Sequence, residues 1–219
     1  MPDRLKIYLE TSVISYLVAR PSADPEKAAM AACTRRFMDE YASDCDIFVS
    51  DIVENEARKG DDEAVARRLV EIARHPFLKY NAVEAGVLAR RLREQHRVFD
   101  KEVEDALHIA ACAVAGVGFL LTWNCRHMAN PVEIQKTIRI VTQCGYTCPT
   151  IITPRDYIAH VEDDYADDPI VREVHEARYE IMAEHNWDVS ALLADLAAHP
   201  VPGARYVSPK PFTYAEAAL

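Results

Sequence analysis

Glycine is scarce in this chain, six residues in 219, and no apolar stretch approaches the roughly eighteen residues that a bilayer-crossing helix needs. The first shortage, set beside many helix formers, points to a helix-rich globular protein; the second excludes a helical membrane span. The opening "MPDRLKIYLE" lacks the basic start, apolar middle and small-residue cleavage site of a secretory signal, so the cytoplasm is the expected compartment. None of the six cysteines (Cys33, Cys45, Cys112, Cys125, Cys144, Cys148) belongs to a CxxC pair. A chain this long builds a core without covalent staples, and the Cys144–Cys148 spacing has no second half with which to close a zinc site. Reduced thiols are the expectation.

Basic residues are also in short supply, 25 against 35 acids, for a formal net charge of −10. Such a balance opposes nucleic-acid binding, which draws most of its affinity from phosphate neutralisation. The excess is unevenly placed. Residues 158–219 hold 12 acids and 4 bases, whereas residues 1–157 hold 23 and 21, a net charge of only −2.

Strand and helix signals alternate through residues 1–157. "KIYLE" reads as a strand and "TSVISYLVA" as a short helix; after the two-proline turn "RPSADPE", a helix is predicted from Lys27 to Tyr41. "DIFVS" (46–50) is a second strand, followed by the helix "DIVENEARKG" with Gly60 as its C-cap. "DDEAVARRLVEIARH" has helical spacing and stops at Pro76; "FLKYN" reads as a third strand. The helix "AVEAGVLARRLREQH", the strongly apolar helix "KEVEDALHIAACAVAG", the strand "GFLLTW", a helix over 131–142 and a closing strand "TIITP" complete the domain. Strands separated by helices predict an α/β fold with a mainly parallel sheet covered on both faces. Residues 158–219 read as two helices behind an acidic entry, with Asp168 as N-cap and Pro169 first in the helix, and then a proline-rich extended tail.

In parallel α/β sheets the ligand site lies beyond the carboxyl ends of the strands. Glu10 ends the first strand, Glu56 lies in the helix after the second, Asp105 in the first turns of the apolar helix, and Asn124 directly after "FLLTW". Asp105 is the most telling, because nearly everything after it in that helix is apolar and an unpartnered buried acid is costly. Carboxylates crowded within a few Å need a cation, and hard oxygen donors select Mg²⁺ or Mn²⁺. Thr11, Ser12 and Thr122 stand where hydroxyls would orient such ligands, or, for the first two, cap the helix after the first strand. His108, three residues past Asp105 and on the same helix face, reads as a buried hydrogen-bonding histidine, and His127 as a residue nearer the substrate path.

In order and spacing, "KIYLETSVISYL", "VSDIVENEARKGD", "VEDALHIAACA", "FLLTWNCRHMANP" and the closing "PTIITP" resemble the PIN domain, in particular its VapC-like bacterial toxin branch, over residues 5–157. The resemblance implies a three-layer α/β/α fold and a Mg²⁺- or Mn²⁺-dependent ribonuclease whose four acidic positions fall on Glu10, Glu56, Asp105 and Asn124, with Thr11, Ser12 and Thr122 in support. Two positions depart from the usual pattern: Glu10 stands where Asp is common, and Asn124 replaces a fourth carboxylate, leaving one less negative charge to hold metal. The resemblance also implies an RNA substrate and a homodimer. Arg58, Lys59, Arg126 and the basic run "ARRLREQHR" (89–97) are candidates for phosphate contacts.

The stretch "DPIVREVHEARYEIMAEHNWDVSALLADL" looks like a small companion protein encoded beside such nucleases. Joined in one chain, an antitoxin-like segment gains effective concentration, and Arg172, Arg178 or Arg205 would be the residues to reach the carboxylates and displace metal. A rival reading is a catalytically weak PIN domain retained as an RNA- or protein-binding module. A flap-type DNA nuclease needs further acids and a clamping insertion that are not found, and "YLETS" lacks the aspartate nucleophile of a covalent-aspartate phosphatase.

Overall fold

A computed structural model describes residues 4–100 and 102–166 together with 181, 184, 185 and 195. Four parallel strands, β1 (Leu5–Leu9), β2 (Cys45–Phe48), β3 (Phe119–Leu121) and β4 (Thr150–Ile152), form one sheet in the order β2-β1-β3-β4. Ile7, Tyr8 and Leu9 are consecutive and wholly buried, as are Leu120 and Leu121. Neighbouring strand residues face opposite sides of a sheet, so both faces must be covered. The α/β architecture expected from the sequence is thus the one observed, compatible with three α/β/α layers.

Eight helices are seen among the described residues: α1 (Thr11–Leu17), α2 (Pro25–Glu40), α3 (Asp51–Ala57), α4 (Asp62–Ile72), α5 (Ala82–Gln95), α6 (Val103–Ala115), α7 (Ile134–Gln143) and α8 (Pro154–Ala166). Their ends follow local chemistry. Asp24, Ser50, Asp61 and Asn81 cap α2 to α5 by accepting backbone N–H groups, and α2 begins with Pro25, whose missing donor costs nothing there. Gly116, at φ +65°, ends α6 in the left-handed region where a Cβ would be strained. Among the described residues no helix is long and apolar enough to cross a membrane.

Several boundaries differ from the sequence reading, and α8 occupies residues read there as the end of the closing strand and an acidic entry. "FLKYN" forms no strand; Phe77 makes one bridge to Val49, next to Pro76, which has no N–H to extend the ladder. Gly60 lies beyond the end of α3, whose C-cap is Arg58, and its φ of +104° serves the turn into α4. The helix expected from Pro131 begins at Ile134. Contacts divide the chain into Met1–Glu162 and Asp163–Leu219. Tyr157 and Ile158 are both buried in the core of the first unit, Tyr157 edge-on to Phe37 and Phe119. The proposed cap at Asp168 and Pro169, the proline-rich tail, and Arg172, Arg178 and Arg205 lie outside the described residues.

Strand order reverses between β1 and β3, since the chain leaves β1 for β2 on one side and later adds β3 and β4 on the other. That switch point opens a crevice at the carboxyl ends of the two central strands. Glu10 follows β1 there and Thr122 follows β3, and the Glu10 N–H donates to the Leu121 carbonyl at 3.0 Å, holding the two strand ends side by side.

Candidate metal centre

Glu10 is buried at 6% exposure and is itself the N-cap of α1. Its longer side chain folds back so that Oε2 accepts the Ser12 N–H at 3.1 Å, the Ser12 hydroxyl, and the Thr122 hydroxyl at 2.8 Å. The cap expected of Thr11 or Ser12 is therefore made by Glu10, with Ser12 as donor. Ser12 Oγ in turn accepts from the Trp123 N–H at 2.8 Å, and Thr122 Oγ1 from the Asn124 N–H at 2.9 Å. These bonds tie the start of α1 to the loop after β3.

Glu56, on the last turn of α3, is held from two directions. Its Oε2 accepts the Thr11 hydroxyl and His108 Nε2 at 2.9 Å. A carboxylate only accepts, so His108 carries a proton on Nε2. His108 is fully buried; its Nδ1 meets the Tyr8 hydroxyl at 2.7 Å, and Tyr8 meets Ser50 Oγ at 2.6 Å. Ser50 closes this chain as the cap of α3. Burial alone would raise the Glu56 pKa, but the bonds from His108 and Thr11 outweigh it and lower the value. Burial would lower the His108 pKa, but the bond to Glu56 and the charges of Glu10, Glu56 and Asp105 together lift it above its ordinary value, so both partners favour an imidazolium–carboxylate pair.

Asp105 lies one turn before His108 on α6 and is 8% exposed. Its Oδ2 accepts Asn124 Nδ2 at 2.8 Å and His127 Nδ1 at 3.1 Å. Its pKa is pushed from 3.8 to about 6, first by burial and then by the charge of Glu10. Asn124 is oriented by its other contact, since its Oδ1 accepts the His127 N–H at 3.1 Å. It therefore presents N–H donors to Asp105 rather than standing in as a fourth carboxylate.

All seven residues read from the sequence as site or support are thus gathered at the switch point in two linked groups. Ligand atoms of Glu10, Glu56 and His108 lie within 4.8 Å of one another, and a second such trio joins Asp105 to His127 and Glu102. Glu102, at the N-cap of α6 with no capping bond, was missed; its only signal is its place three residues before Asp105. Tyr8 and Ser50 were missed because one reads as an ordinary strand residue and the other as a turn.

The three carboxylates share one property. Each takes its hydrogen bonds on a single oxygen, Glu10 on Oε2, Glu56 on Oε2 and Asp105 on Oδ2, so that Glu10 Oε1, Glu56 Oε1 and Asp105 Oδ1 have no hydrogen-bond partner among the described residues. Compared with family models, curated proteins and solved structures, the chain matches none.

Proposed function

We propose that this chain is a divalent-metal-dependent ribonuclease of toxin type, hydrolysing RNA phosphodiester bonds. One observation carries the reading: three largely buried carboxylates, each fixed by donors on one oxygen and each with its second oxygen unpartnered. None of the three second oxygens is sealed from solvent, so each stays open to a cation while its partner oxygen is held by donors. The donor set fits Mg²⁺ or Mn²⁺, being carboxylate oxygens held rigidly by hydroxyl, amide and imidazole partners. His108 does not suit the role of ligand, since both its nitrogens are engaged.

Glu10 and Glu56, whose oxygens lie within 4.8 Å of one another, would hold the cation, with Asp105 contributing from the neighbouring group; the cation would supply an easily deprotonated water and neutralise charge developing on the phosphate. The rest of the work falls to the chain. Ser12 and Thr122 fix Glu10, Thr11 and His108 fix Glu56, and Asn124 with His127 fix Asp105. Of the candidate phosphate contacts, Arg126, Arg90 and Arg97 are exposed and have no side-chain partner among the described residues, and so are open to the RNA backbone. Arg58 and Lys59 are engaged by Glu54 and Glu104. The acidic segment beyond residue 166 is, on this reading, regulatory.

The test is cleavage of single-stranded RNA by the full chain with Mn²⁺, beside the same chain shortened after residue 166. Cleavage that chelation stops and Glu56→Gln or Asp105→Asn abolishes supports the proposal, and cleavage confined to the shortened chain supports built-in inhibition. RNA bound by both forms but uncut at saturating Mn²⁺ leaves the binding-module reading in its place.

A further inference from the structure

A second cavity, about 350 Å³, opens between α3, α5 and α6 and shares one wall with the metal centre through Glu56. That volume falls in the range of roughly 300–1,000 Å³ typical of small-ligand pockets. Its walls are apolar at Ile52 and Leu107 and aromatic at Tyr80. Besides Glu56 and the paired Lys59 and Glu104, two polar groups of α3 line it. Asp51 accepts the Tyr80 hydroxyl on Oδ1 at 2.8 Å, and its Oδ2 has no partner among the described residues; nor has the side-chain amide of Asn55, one turn further on and exposed. The cavity therefore offers an aromatic wall, an unspent carboxylate oxygen and an unspent amide within reach of Glu56.

We propose that this cavity is a base-binding subsite that takes a guanine of the RNA strand. The inference rests on the ribonuclease reading and adds the identity of a base beside the cut. Guanine's Watson–Crick edge carries two adjacent donors, N1–H and the N2 amino group, next to the O6 acceptor. A carboxylate oxygen suits the donors and the Asn55 N–H group suits O6. Adenine and cytosine set a ring-nitrogen acceptor where the carboxylate lies, and uracil offers one donor between two acceptors. Single-stranded RNA supplies an unpaired base of this kind, and an aromatic wall gives its face a stacking partner.

The test is equilibrium binding of guanosine, inosine and adenosine to the full chain in chelator, read by calorimetry. Neutral nucleosides keep phosphate repulsion out of the comparison. Guanosine should bind about tenfold tighter than inosine, which lacks only the N2 amino group, and tighter than adenosine by at least as much. Asp51→Asn and Asn55→Ala should each weaken guanosine about tenfold with unchanged circular dichroism, both positions being exposed. Guanosine no tighter than inosine, or a preference that survives both substitutions, overturns the proposal. RNA cut with Mn²⁺ without regard to neighbouring guanine also overturns it while leaving the nuclease intact. Guanosine selectivity in a chain that never cuts RNA upholds the pocket and removes the nuclease reading.

Discussion

Replacing Asp105 by Asn should make the metal-free protein more stable at neutral pH. The Asp105 carboxyl is raised from 3.8 to about 6 by burial and by Glu10, and a displacement of about two pH units corresponds to roughly 3 kcal/mol between its two protonation states. The sign follows from proton counts. Between about pH 4 and 6 the folded chain keeps a proton that the unfolded chain has lost, so stability falls as pH rises through that window and the charged form is fully penalised above it. The Asp105→Asn side chain would carry no charge, and its carbonyl oxygen can stand where Oδ2 does and accept from both Asn124 and His127, more weakly than a carboxylate by about 1 kcal/mol. A net gain of about 1–2 kcal/mol remains, equivalent to a rise of roughly 2–8 °C in midpoint for a chain of this size. Thermal unfolding followed by circular dichroism in chelator at pH 7.5 and pH 4.5 reads both parts. The variant should be the more stable at pH 7.5 and lose that advantage at pH 4.5, where the native carboxyl is already protonated. A variant less stable at pH 7.5, or one with the same advantage at both pH values, would refute the reasoning.

Thr122→Val keeps the shape of a wholly buried side chain but deletes the hydroxyl that serves Glu10 and the Asn124 N–H; it should cost about 1–3 kcal/mol and weaken Mn²⁺ binding by roughly 10–100-fold, checked by denaturant melts and metal titration. Tyr8→Phe removes the hydroxyl between His108 and Ser50 and should cost about 1–3 kcal/mol in urea unfolding, with a loss of Mn²⁺ affinity transmitted through the His108–Glu56 bond. Glu71 has the opposite pH behaviour to Asp105. Its pKa is lowered first by the bond from His75, against burial, and then by Arg74, so its stabilisation is present above the usual carboxylate range and disappears as pH falls through the native value. Glu71→Gln should therefore destabilise at pH 7 and flatten the acid limb of a stability–pH curve.

Much of the site was legible because its residues end or begin regular elements. An apolar run closed by Glu10, and an acid inside the apolar helix α6, are local signals that survive folding unchanged. The strand expected at 77–81 was not, since a short apolar run becomes a strand only where a partner edge accepts it, and here the ladder stops at the Val49–Phe77 bridge. The roles of Tyr8 and Ser50 depend on contacts 42 to 100 residues apart in the chain, which no local pattern carries. Asn124 shows the same limit: its position was readable, but which of its amide atoms meets Asp105 is decided by the His127 N–H.

The proposed ribonuclease needs the open oxygens of Glu10, Glu56 and Asp105 to take part in holding divalent metal. The most direct measurement is Mn²⁺ titration of the full chain by electron paramagnetic resonance, beside Glu10→Gln, Glu56→Gln and Asp105→Asn. Saturable binding in the parent chain that weakens by more than about tenfold in each variant is the predicted result, ligands costing at least as much as the groups that orient them. Binding that all three variants retain, or a parent chain that takes up no Mn²⁺, would contradict it.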